Sequence, residues 1–373
     1  MQNRYTMKNL WTCIILLMMV RPSYQDEIKT QSHFTATPGR NIFIITIDGF
    51  RWQEVFNGAD SLLINDGNYT PDAETIKSLY WDASSQQRRK KLMPFFWNVL
   101  AAKGQLFGNR ELDNKVNVAN AYAISYPGYN EIFTGNTDLT IASNAKDLNP
   151  NTNVLEYLNS TDNFKDKVVV FTSWDVFPYI LNKERSGLKI NSGYEDIHDA
   201  DSSLQDEMIN KVQDKAVNEK DATRFDALTF LAAKEYIKKH LPKLLYLGLG
   251  ETDEFAHKGR YDLYLQQATE TDRMIAELWH WVQTTPGYKN NTDLIITTDH
   301  GRGSKTNKWS GHGAFIKGSS QTWLALIGPD FKPLGEMKNT EQLYEAQIAQ
   351  TIASLSGLEF NTNHKVAPAL SLR

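Results

Sequence analysis

Residues 41–49, with the sequence NIFIITIDG, join a run of apolar and β-branched residues to an aspartate and a glycine. A short, nearly continuous apolar run predicts a strand that is buried on both faces, as in a parallel sheet. Ligands of open parallel sheets bind beyond the carboxyl ends of the strands. Asp48 is therefore expected at a ligand-binding edge, although Asp-Gly after a strand is also an ordinary turn.

Similar apolar runs recur along the chain and alternate with longer stretches of helical pattern. The predicted strands are 42–47, 167–172, 244–248, 294–298 and 324–327. The predicted helices are 94–103, 203–216, 222–239, 261–283 and 341–354. This alternation predicts an α/β fold with a mostly parallel central sheet and helices on both of its faces.

The chain is predicted to comprise a leader and one large domain. Arg4 and Lys8 precede an apolar run at 10–20, which predicts a signal peptide over 1–25 that is too short to span a bilayer. A buried N-terminal helix is the alternative for this run. Residues 26–40 are expected to form a linker and 41–373 a single domain, with polar cap insertions around 57–91 and 177–218.

The composition excludes several classes of protein. With 41% hydrophobic and 23% charged residues the chain is expected to fold, and a net charge of -4 favours a small substrate over a nucleic-acid partner. Cys13, in the predicted leader, is the one cysteine. The mature chain would therefore lack disulfides, cysteine zinc sites and thiol catalysis, and would have no membrane span. Export is expected, to the periplasm or the extracellular space, and a bacterial periplasm fits better than animal secretion.

Aspartate and histidine residues follow the predicted strands. Asp299 and His300 adjoin the strand at 294–298, Asp253 and His257 are spaced i, i+4 after the strand at 244–248, and His312 lies between glycines. Together with Asp48 they make three aspartates and three histidines, a donor set that suits zinc. Six ligands are too many for one tetrahedral ion, so two zinc ions about 4 Å apart are expected.

A nucleophile is expected at Ser125, in the segment NAYAISYPGY at 120–129. The segment leads into a helix-like stretch, and a helix N-terminus is a natural seat for a phosphate. A metal ion on the serine oxygen lowers the pKa of the hydroxyl and makes it a nucleophile near neutral pH. Taken alone, this serine could also be a helix cap.

Together these residues resemble the alkaline phosphatase superfamily, and within it the branch of type I phosphodiesterase/nucleotide pyrophosphatases and related alkaline phosphatases. Further matches are LAAKG at 100–104, FTG at 133–135 and IGP at 327–329. The resemblance covers the chain from about residue 41 onward and implies an alkaline-phosphatase-like catalytic domain. It also implies two zinc sites, one formed by Asp48, Ser125, Asp299 and His300 and the other by Asp253, His257 and His312.

The implied reaction is attack by Ser125 on a phosphoester, giving a phosphoserine that water then hydrolyses. Asn144 resembles the phosphate-binding asparagine of the family, and Lys183 with Arg185 resembles a Lys-x-Arg pair that some monoesterase members direct at a dianionic phosphate. Two cations there would favour a phosphomonoester slightly, with a phosphodiesterase or nucleotide pyrophosphatase as the alternative. The pair could also be ordinary surface charge.

Two other functions stay open at the level of sequence. Residues 125–129, SYPGY, resemble the sulfatase modification motif, but Tyr129 replaces its arginine, which argues against a sulfatase. A catalytically inactive exported binding protein is the alternative outside enzymes. The presence of every expected ligand and of a hydroxyl nucleophile argues against inactivity.

Overall fold

Strand β1 (Asn41–Ile47) lies inside the central sheet, and all seven of its residues are buried. Because side chains alternate along a strand, β1 contributes to two hydrophobic cores. Phe43 and Ile45 pack in the core on one face of the sheet, and Ile42 and Ile44 pack in the core on the other. The apolar run that opens the described chain is thus covered on both sides.

A computed structural model of the protein describes residues 39–198, 203–215, 217 and 220–371. These residues belong to one compact unit. The predicted signal peptide, 1–25, and the predicted linker, 26–40, except for its last two residues, lie outside the described residues.

Eleven strands occur among the described residues and form two sheets. They are β1, β2 (Gln105–Phe107), β3 (Asn114–Asn117), β4 (Val168–Thr172), β5 (Lys189–Ser192), β6 (Leu244–Leu249), β7 (Thr292–Thr297), β8 (Gln321–Thr322), β9 (Leu324–Ile327), β10 (Gly335–Glu336) and β11 (Glu341–Tyr344). The large sheet has the order β10-β2-β9-β7-β1-β6-β4-β5, and the small sheet has the order β11-β3-β8. In the large sheet, pairing is parallel except along β9, which is antiparallel to both of its neighbours.

Helices connect most of these strands. They are α1 (Trp52–Asn57), α2 (Ser61–Ile64), α3 (Ala73–Tyr80), α4 (Ser85–Leu92), α5 (Ala101–Lys103), α6 (Ser125–Thr134), α7 (Val154–Asn159), α8 (Phe177–Ile180), α9 (Lys183–Ser186), α10 (Leu204–Lys215), α11 (Asp226–His240), α12 (Glu251–His257), α13 (Tyr261–Thr284) and α14 (Gln347–Leu355). A π-helical turn (Phe96–Leu100) precedes α5, and short 3₁₀ turns lie at Arg110–Leu112 and Thr306–Lys308. No helix among the described residues has the length and apolar character needed to cross a membrane.

The register of the parallel strands brings three chain segments to one edge of the sheet. Ile47 of β1 pairs with Leu249 of β6, and Thr46 pairs with Thr297 of β7. The residues that follow these three strands therefore start side by side at their carboxyl ends. This edge is where ligand-binding residues of a parallel sheet are expected.

The α/β fold with a mostly parallel sheet is confirmed, but several elements differ from the prediction. Residues 341–354, predicted as one helix, form β11 and then α14. Five other short strands, β2, β3, β5, β8 and β10, were not predicted from the sequence. They have only two to four residues each, too few for a periodic pattern to identify a strand.

The two segments predicted as cap insertions contain regular structure. Helices α2, α3 and α4 lie within 57–91. The segment 177–218 contains α8, α9 and α10 among its described residues, together with β5, which pairs with β4 at the edge of the large sheet. Part of the second segment therefore extends the sheet.

Candidate active site and metal centre

Aspartates from three chain segments meet at the carboxyl edge of the large sheet. Asp48 follows β1, Asp299 follows β7, and Asp253 lies in the first turn of α12, which begins directly after β6. Asp48 and Asp299 are fully buried or nearly so. The backbone N–H of Gly49 donates to Asp299 Oδ1 at 3.0 Å, so the β1 turn positions the carboxylate of the β7 turn.

One group of candidate ligands consists of Asp48, Asp299 and His300, whose ligand atoms all lie within 4.8 Å of one another. His300 Nε2 is 3.5 Å from Asp48 Oδ1 and 3.4 Å from Asp299 Oδ2. Ser125 Oγ lies 3.3 Å from the same nitrogen. The four residues that the family resemblance assigns to one zinc ion are therefore brought together.

A second group consists of Asp253, His300 and His312. His257 Nε2 is 2.9 Å from Asp253 Oδ2, across one turn of α12, and 3.0 Å from His312 Nε2. His300 and His312 stack with their ring centroids 3.9 Å apart. His300 thus belongs to both groups. The three residues expected at the other zinc ion, Asp253, His257 and His312, lie next to one another, and Asp253 and His312 also lie next to His300.

Ser125 is the first residue of α6 and is buried. The residue two positions earlier, Ala123, has a φ of 48°, a left-handed conformation that is uncommon for a residue with a Cβ atom. Its N–H donates to Asn120 Oδ1 at 2.8 Å, and its carbonyl oxygen lies 3.3 Å from His312 Nδ1. The backbone before Ser125 therefore also orients a candidate metal ligand, His312.

A buried glutamate holds this backbone segment in place. Glu131, in α6, accepts from the N–H of Ala119 at 2.8 Å, from the N–H of Asn120 at 2.9 Å and from the Asn120 side-chain amide at 2.9 Å. Burial raises the pKa of Glu131, and these hydrogen bonds oppose the rise. The side-chain oxygen of Asn120, Oδ1, is thereby left to accept from the N–H groups of Tyr122 and Ala123.

The electrostatics of the cluster suit bound cations. Burial raises the pKa of Asp48 well above its ordinary value, with further contributions from the charges of Asp299 and Asp253. Burial also raises the pKa of Asp299 to about 8, and lowers the pKa of His312 to about 4 and that of His300 well below its ordinary value. Neutral imidazoles and carboxylates in need of positive charge are the states that metal ions stabilise.

The residues present fit divalent metal ions. Asp48 Oδ1 and Asp299 Oδ2 are buried and have no hydrogen-bond partner among the described residues. Buried carboxylate oxygens without partners are costly, and a coordinated cation removes that cost. The donor set of imidazole nitrogen, carboxylate and hydroxyl oxygen, with no thiolate, is one that zinc accepts.

Arg302, which the sequence reasoning missed, is a buried cation behind the cluster. Its Nη1 donates to Asp253 Oδ1, its Nη2 donates to the carbonyl of Ser310, and its Nε donates to the carbonyl of Trp309 at 3.3 Å. Burial favours the neutral form of Asp253, but the Arg302 charge and the His257 hydrogen bond hold the pKa of Asp253 well below its ordinary value. The adjacency of Arg302 to the Asp-His-Gly motif was the one available sequence signal.

A cavity of about 170 Å³ opens onto the cluster. Its lining residues are Asp48, Ser125, Asn144, Trp174, Thr223, Gly250, Asp253, Glu254 and His257. Asn144 Oδ1 accepts from the backbone N–H of Tyr126 at 2.9 Å, which leaves the amide nitrogen of this exposed side chain for a ligand. None of the described lining residues is a lysine or an arginine.

The structure does not bring Lys183 and Arg185 to this cavity. Arg185 donates to both carboxylate oxygens of Glu156, at 2.8 and 3.0 Å, and to nearby backbone carbonyls. Lys183 Nζ pairs with Glu195 Oε1 at 3.0 Å. The structure therefore gives no support to the expectation that the two cations contact a phosphate, because both of them pair with local carboxylates.

Comparison with known proteins places the chain among phosphoester-processing enzymes. The sequence model of the type I phosphodiesterase/nucleotide pyrophosphatase family matches residues 67–317. The match spans Ser125 and the candidate metal ligands except Asp48. No curated protein matches the chain.

Several solved structures resemble the fold. The alkaline phosphatase PafA has a TM-score of 0.59 at 11% identity, covering 90% of this chain and 99% of its own. The lipoteichoic acid synthase LtaP from Listeria monocytogenes has a TM-score of 0.56 at 13% identity, covering 91% of this chain and 76% of its own. The phosphonate monoester hydrolase of Agrobacterium radiobacter has a TM-score of 0.51 at 12% identity, and the match covers 86% of this chain and 74% of the hydrolase. These likenesses establish an alkaline-phosphatase-like fold.

Proposed function

The chain belongs to the type I phosphodiesterase/nucleotide pyrophosphatase family of metal-dependent phosphoric ester hydrolases, and from that premise we propose that it hydrolyses phosphodiesters through Ser125. The observation that carries the proposal is the convergence of a buried serine and two adjoining Asp/His groups on one cavity. A serine alone, or a metal cluster alone, would support a weaker conclusion.

The ligands proposed for two zinc ions are the six Asp and His side chains of the cluster together with Ser125 Oγ. They are Asp48, Ser125, Asp299 and His300 for one ion and Asp253, His257 and His312 for the other. When bound, the ions would supply positive charge that lowers the pKa of the serine hydroxyl and stabilises negative charge on the reacting oxygens. The unpartnered oxygens of Asp48 and Asp299 support this assignment.

The protein's own residues position the ester and the nucleophile. Ser125 stands at the start of the ten-residue helix α6, where backbone N–H groups without intrahelical partners favour a phosphate. The Asn144 amide nitrogen is free to donate to a phosphoryl oxygen. Attack by Ser125 Oγ on phosphorus breaks the bond to the leaving alcohol, which takes up the proton that the serine hydroxyl loses, and forms a phosphoserine that still carries the second alcohol as an ester. Water then cleaves the bond between Ser125 and phosphorus and releases the phosphomonoester.

The cavity lining favours a diester over a monoester. A phosphomonoester dianion carries one more negative charge than a diester, and enzymes meet such charge with lysine or arginine. The described lining contains no such residue, and Glu254 adds a further carboxylate. The slight monoester preference expected from Lys183 and Arg185 loses its support, since both side chains pair with other residues.

The proposal is tested by measuring kcat/KM for p-nitrophenyl phosphate, bis-p-nitrophenyl phosphate and p-nitrophenyl sulfate, with zinc and with a chelator. We expect the diester to be the best substrate by at least about tenfold, or roughly 1.4 kcal/mol of transition-state discrimination. Ser125→Ala should abolish turnover and retain zinc. A preference for the monoester would overturn the diester assignment, and turnover that is indifferent to the chelator would overturn the metal assignment.

We further propose that the protein is exported to the periplasm or the extracellular space. The proposal rests on the leader-like residues 1–25 and on the absence of cysteine from the rest of the sequence. Fractionation of a bacterial host that expresses the full chain tests it. Full-length protein that stays in the cytosol with residues 1–25 attached would contradict export.

A further inference from the structure

One wall of the active-site cavity combines an aromatic side chain with a carboxylate that the proposed metal centre does not use. We propose that Trp174 and Glu254 bind an ammonium group on the alcohol part of the phosphodiester substrate. This inference rests on the proposed function and specifies its substrate class. The chemistry of recognition is that of a cation held by a ring face and a negative charge.

The wall is built by contacts between three chain segments. Trp174, just after β4, forms an antiparallel bridge with Thr223. Thr223 Oγ1 donates to Glu254 Oε1 at 2.9 Å, so the hydroxyl links the bridge to α12. The Trp174 ring packs edge to face against Phe177, with the centroids 6.3 Å apart, which fixes its orientation.

The carboxylate of Glu254 is left for a ligand. It belongs to neither group of candidate metal ligands, and no ion pair joins it to a lysine or arginine among the described residues. The cation next to this wall, Lys146, pairs with Asp175 at 2.7 Å and does not line the cavity. A substrate cation would supply the missing positive charge.

The wall is continuous with the reacting centre. Trp174, Thr223 and Glu254 line the same cavity as Ser125 and Asn144. Asp48, whose buried Oδ1 has no hydrogen-bond partner among the described residues, also lines it. The volume of about 170 Å³ compares with the roughly 150 Å³ of an engineered cavity that holds benzene. A small alkylammonium group next to the phosphate therefore fits the space.

The test compares two chromogenic diesters that differ in one atom. The first is p-nitrophenyl phosphorylcholine, and the second is its uncharged isostere, in which carbon replaces the ammonium nitrogen. We expect the zinc-loaded protein to hydrolyse the ammonium compound with a kcat/KM about tenfold higher than that for the isostere, because a cation–π contact and a carboxylate would both stabilise the bound ammonium group. Equal values for the two compounds would overturn the inference and leave the proposed function intact.

Variants locate the effect at the wall. Glu254→Gln retains an acceptor for Thr223 and should bring the preference for the ammonium compound over the isostere to within about twofold. Trp174→Leu should reduce the preference as well. Asp175→Asn, the matched control, removes a neighbouring carboxylate that Lys146 already neutralises, and should leave the preference unchanged. A preference that survives Glu254→Gln would overturn the assignment.

Binding separates this inference from the proposed function. If neither diester is hydrolysed, the proposed function fails. Calorimetry of both compounds on zinc-loaded Ser125→Ala then still measures recognition without turnover. Tighter binding of the ammonium compound supports the wall as an ammonium site, and equal binding overturns it.

Discussion

Arg302 shows how one side chain can hold the residues of a candidate metal centre in place in the metal-free protein. Its guanidinium joins Asp253, on α12, to the carbonyls of the segment 309–310 that leads to His312. The Arg302 side chain is buried, and its three contacts are buried or partly buried. The cation also offsets part of the negative charge of three clustered aspartates, which would otherwise repel one another in the metal-free protein.

Replacing Arg302 by Met should destabilise the metal-free protein more than the zinc-loaded protein. Removing one partner of a buried ion pair costs about 3–5 kcal/mol, because the other charge is left uncompensated. Bound zinc would compensate Asp253 and reduce that loss. Urea unfolding with zinc and with a chelator measures both values.

Arg260→Met is the matched control for this comparison. Arg260 pairs with Asp262 at 2.7 Å but is 41% exposed, so the loss should stay below about 1 kcal/mol in either state. A loss for Arg302→Met that is the same with and without zinc would contradict a role at the metal centre.

At the scale of elements, the segment 119–124 connects α6, which begins at Ser125, to the candidate metal ligand His312. Glu131 and Asn120 hold it in a conformation in which Ala123 has a positive φ. Strained backbone of this kind persists only where surrounding contacts fix it, and it is concentrated at functional sites. Here the strain directs the Ala123 carbonyl towards His312 while Ser125 starts α6.

Substitutions at Ala123 should separate backbone conformation from side-chain contact. Ala123→Gly should keep kcat/KM within about twofold, because glycine adopts a positive φ freely. Ala123→Val should lower kcat/KM at least about tenfold, since a β-branched residue resists this conformation. Steady-state kinetics on a diester, with thermal unfolding in parallel, measures both effects.

Leu241 provides the control for strain that has no connection to the site. It has a φ of 49° at the end of α11 and is exposed. Leu241→Val should lower the melting temperature without changing kcat/KM.

Equal losses of activity in Ala123→Val and Ala123→Gly would show that the methyl group of Ala123, and not the backbone conformation, determines kcat/KM.

At the scale of the whole molecule, the two ends of the large sheet differ in their charge chemistry. The carboxyl ends of the strands carry the candidate metal centre. Asp293, near the start of β7, is buried, and its Oδ1 accepts from the N–H of Asp330 at 3.2 Å. Burial and the Asp330 charge raise the pKa of Asp293 to about 7.

This raised pKa predicts that Asp293 destabilises the protein above neutral pH. The unfolded chain loses this proton near pH 4 and the native protein only near pH 7, so the native state binds more protons within that window. The free energy of unfolding therefore falls as the pH rises from about 4 to about 7. Asp293→Asn should leave stability nearly unchanged at pH 4 and raise it by about 1 kcal/mol or more at pH 8.

Urea unfolding of the variant and the parent protein at both pH values checks this prediction. Asp162→Asn, on the exposed surface, is the control and should change little at either pH. A gain for Asp293→Asn that is the same at pH 4 and pH 8 would argue for a packing effect. A loss at pH 8 would contradict the assigned ionisation.

The local sequence pattern was sufficient to predict the central strands of the sheet and the proximity of the residues that follow them. Apolar runs identify β1, β4, β6, β7 and β9 because burial on both faces requires such runs. Since parallel strands end at one edge, residues directly after β1, β6 and β7 must lie near one another, and this brings Asp48, Asp253 and Asp299 together. The i, i+4 spacing likewise places His257 beside Asp253.

Contacts between distant segments were decided by the tertiary structure alone. The hydrogen bonds of Arg302 to Asp253, of Glu131 to Asn120 and of Thr223 to Glu254 depend on how helices and loops pack, and sequence spacing carries no information about such packing. The same reason explains why the local pattern at Lys183 and Arg185, which suggested phosphate contacts, did not predict the carboxylates with which both cations pair. Lys183 pairs with Glu195 and Arg185 pairs with Glu156, because a charged side chain pairs with the partner that the fold brings within reach.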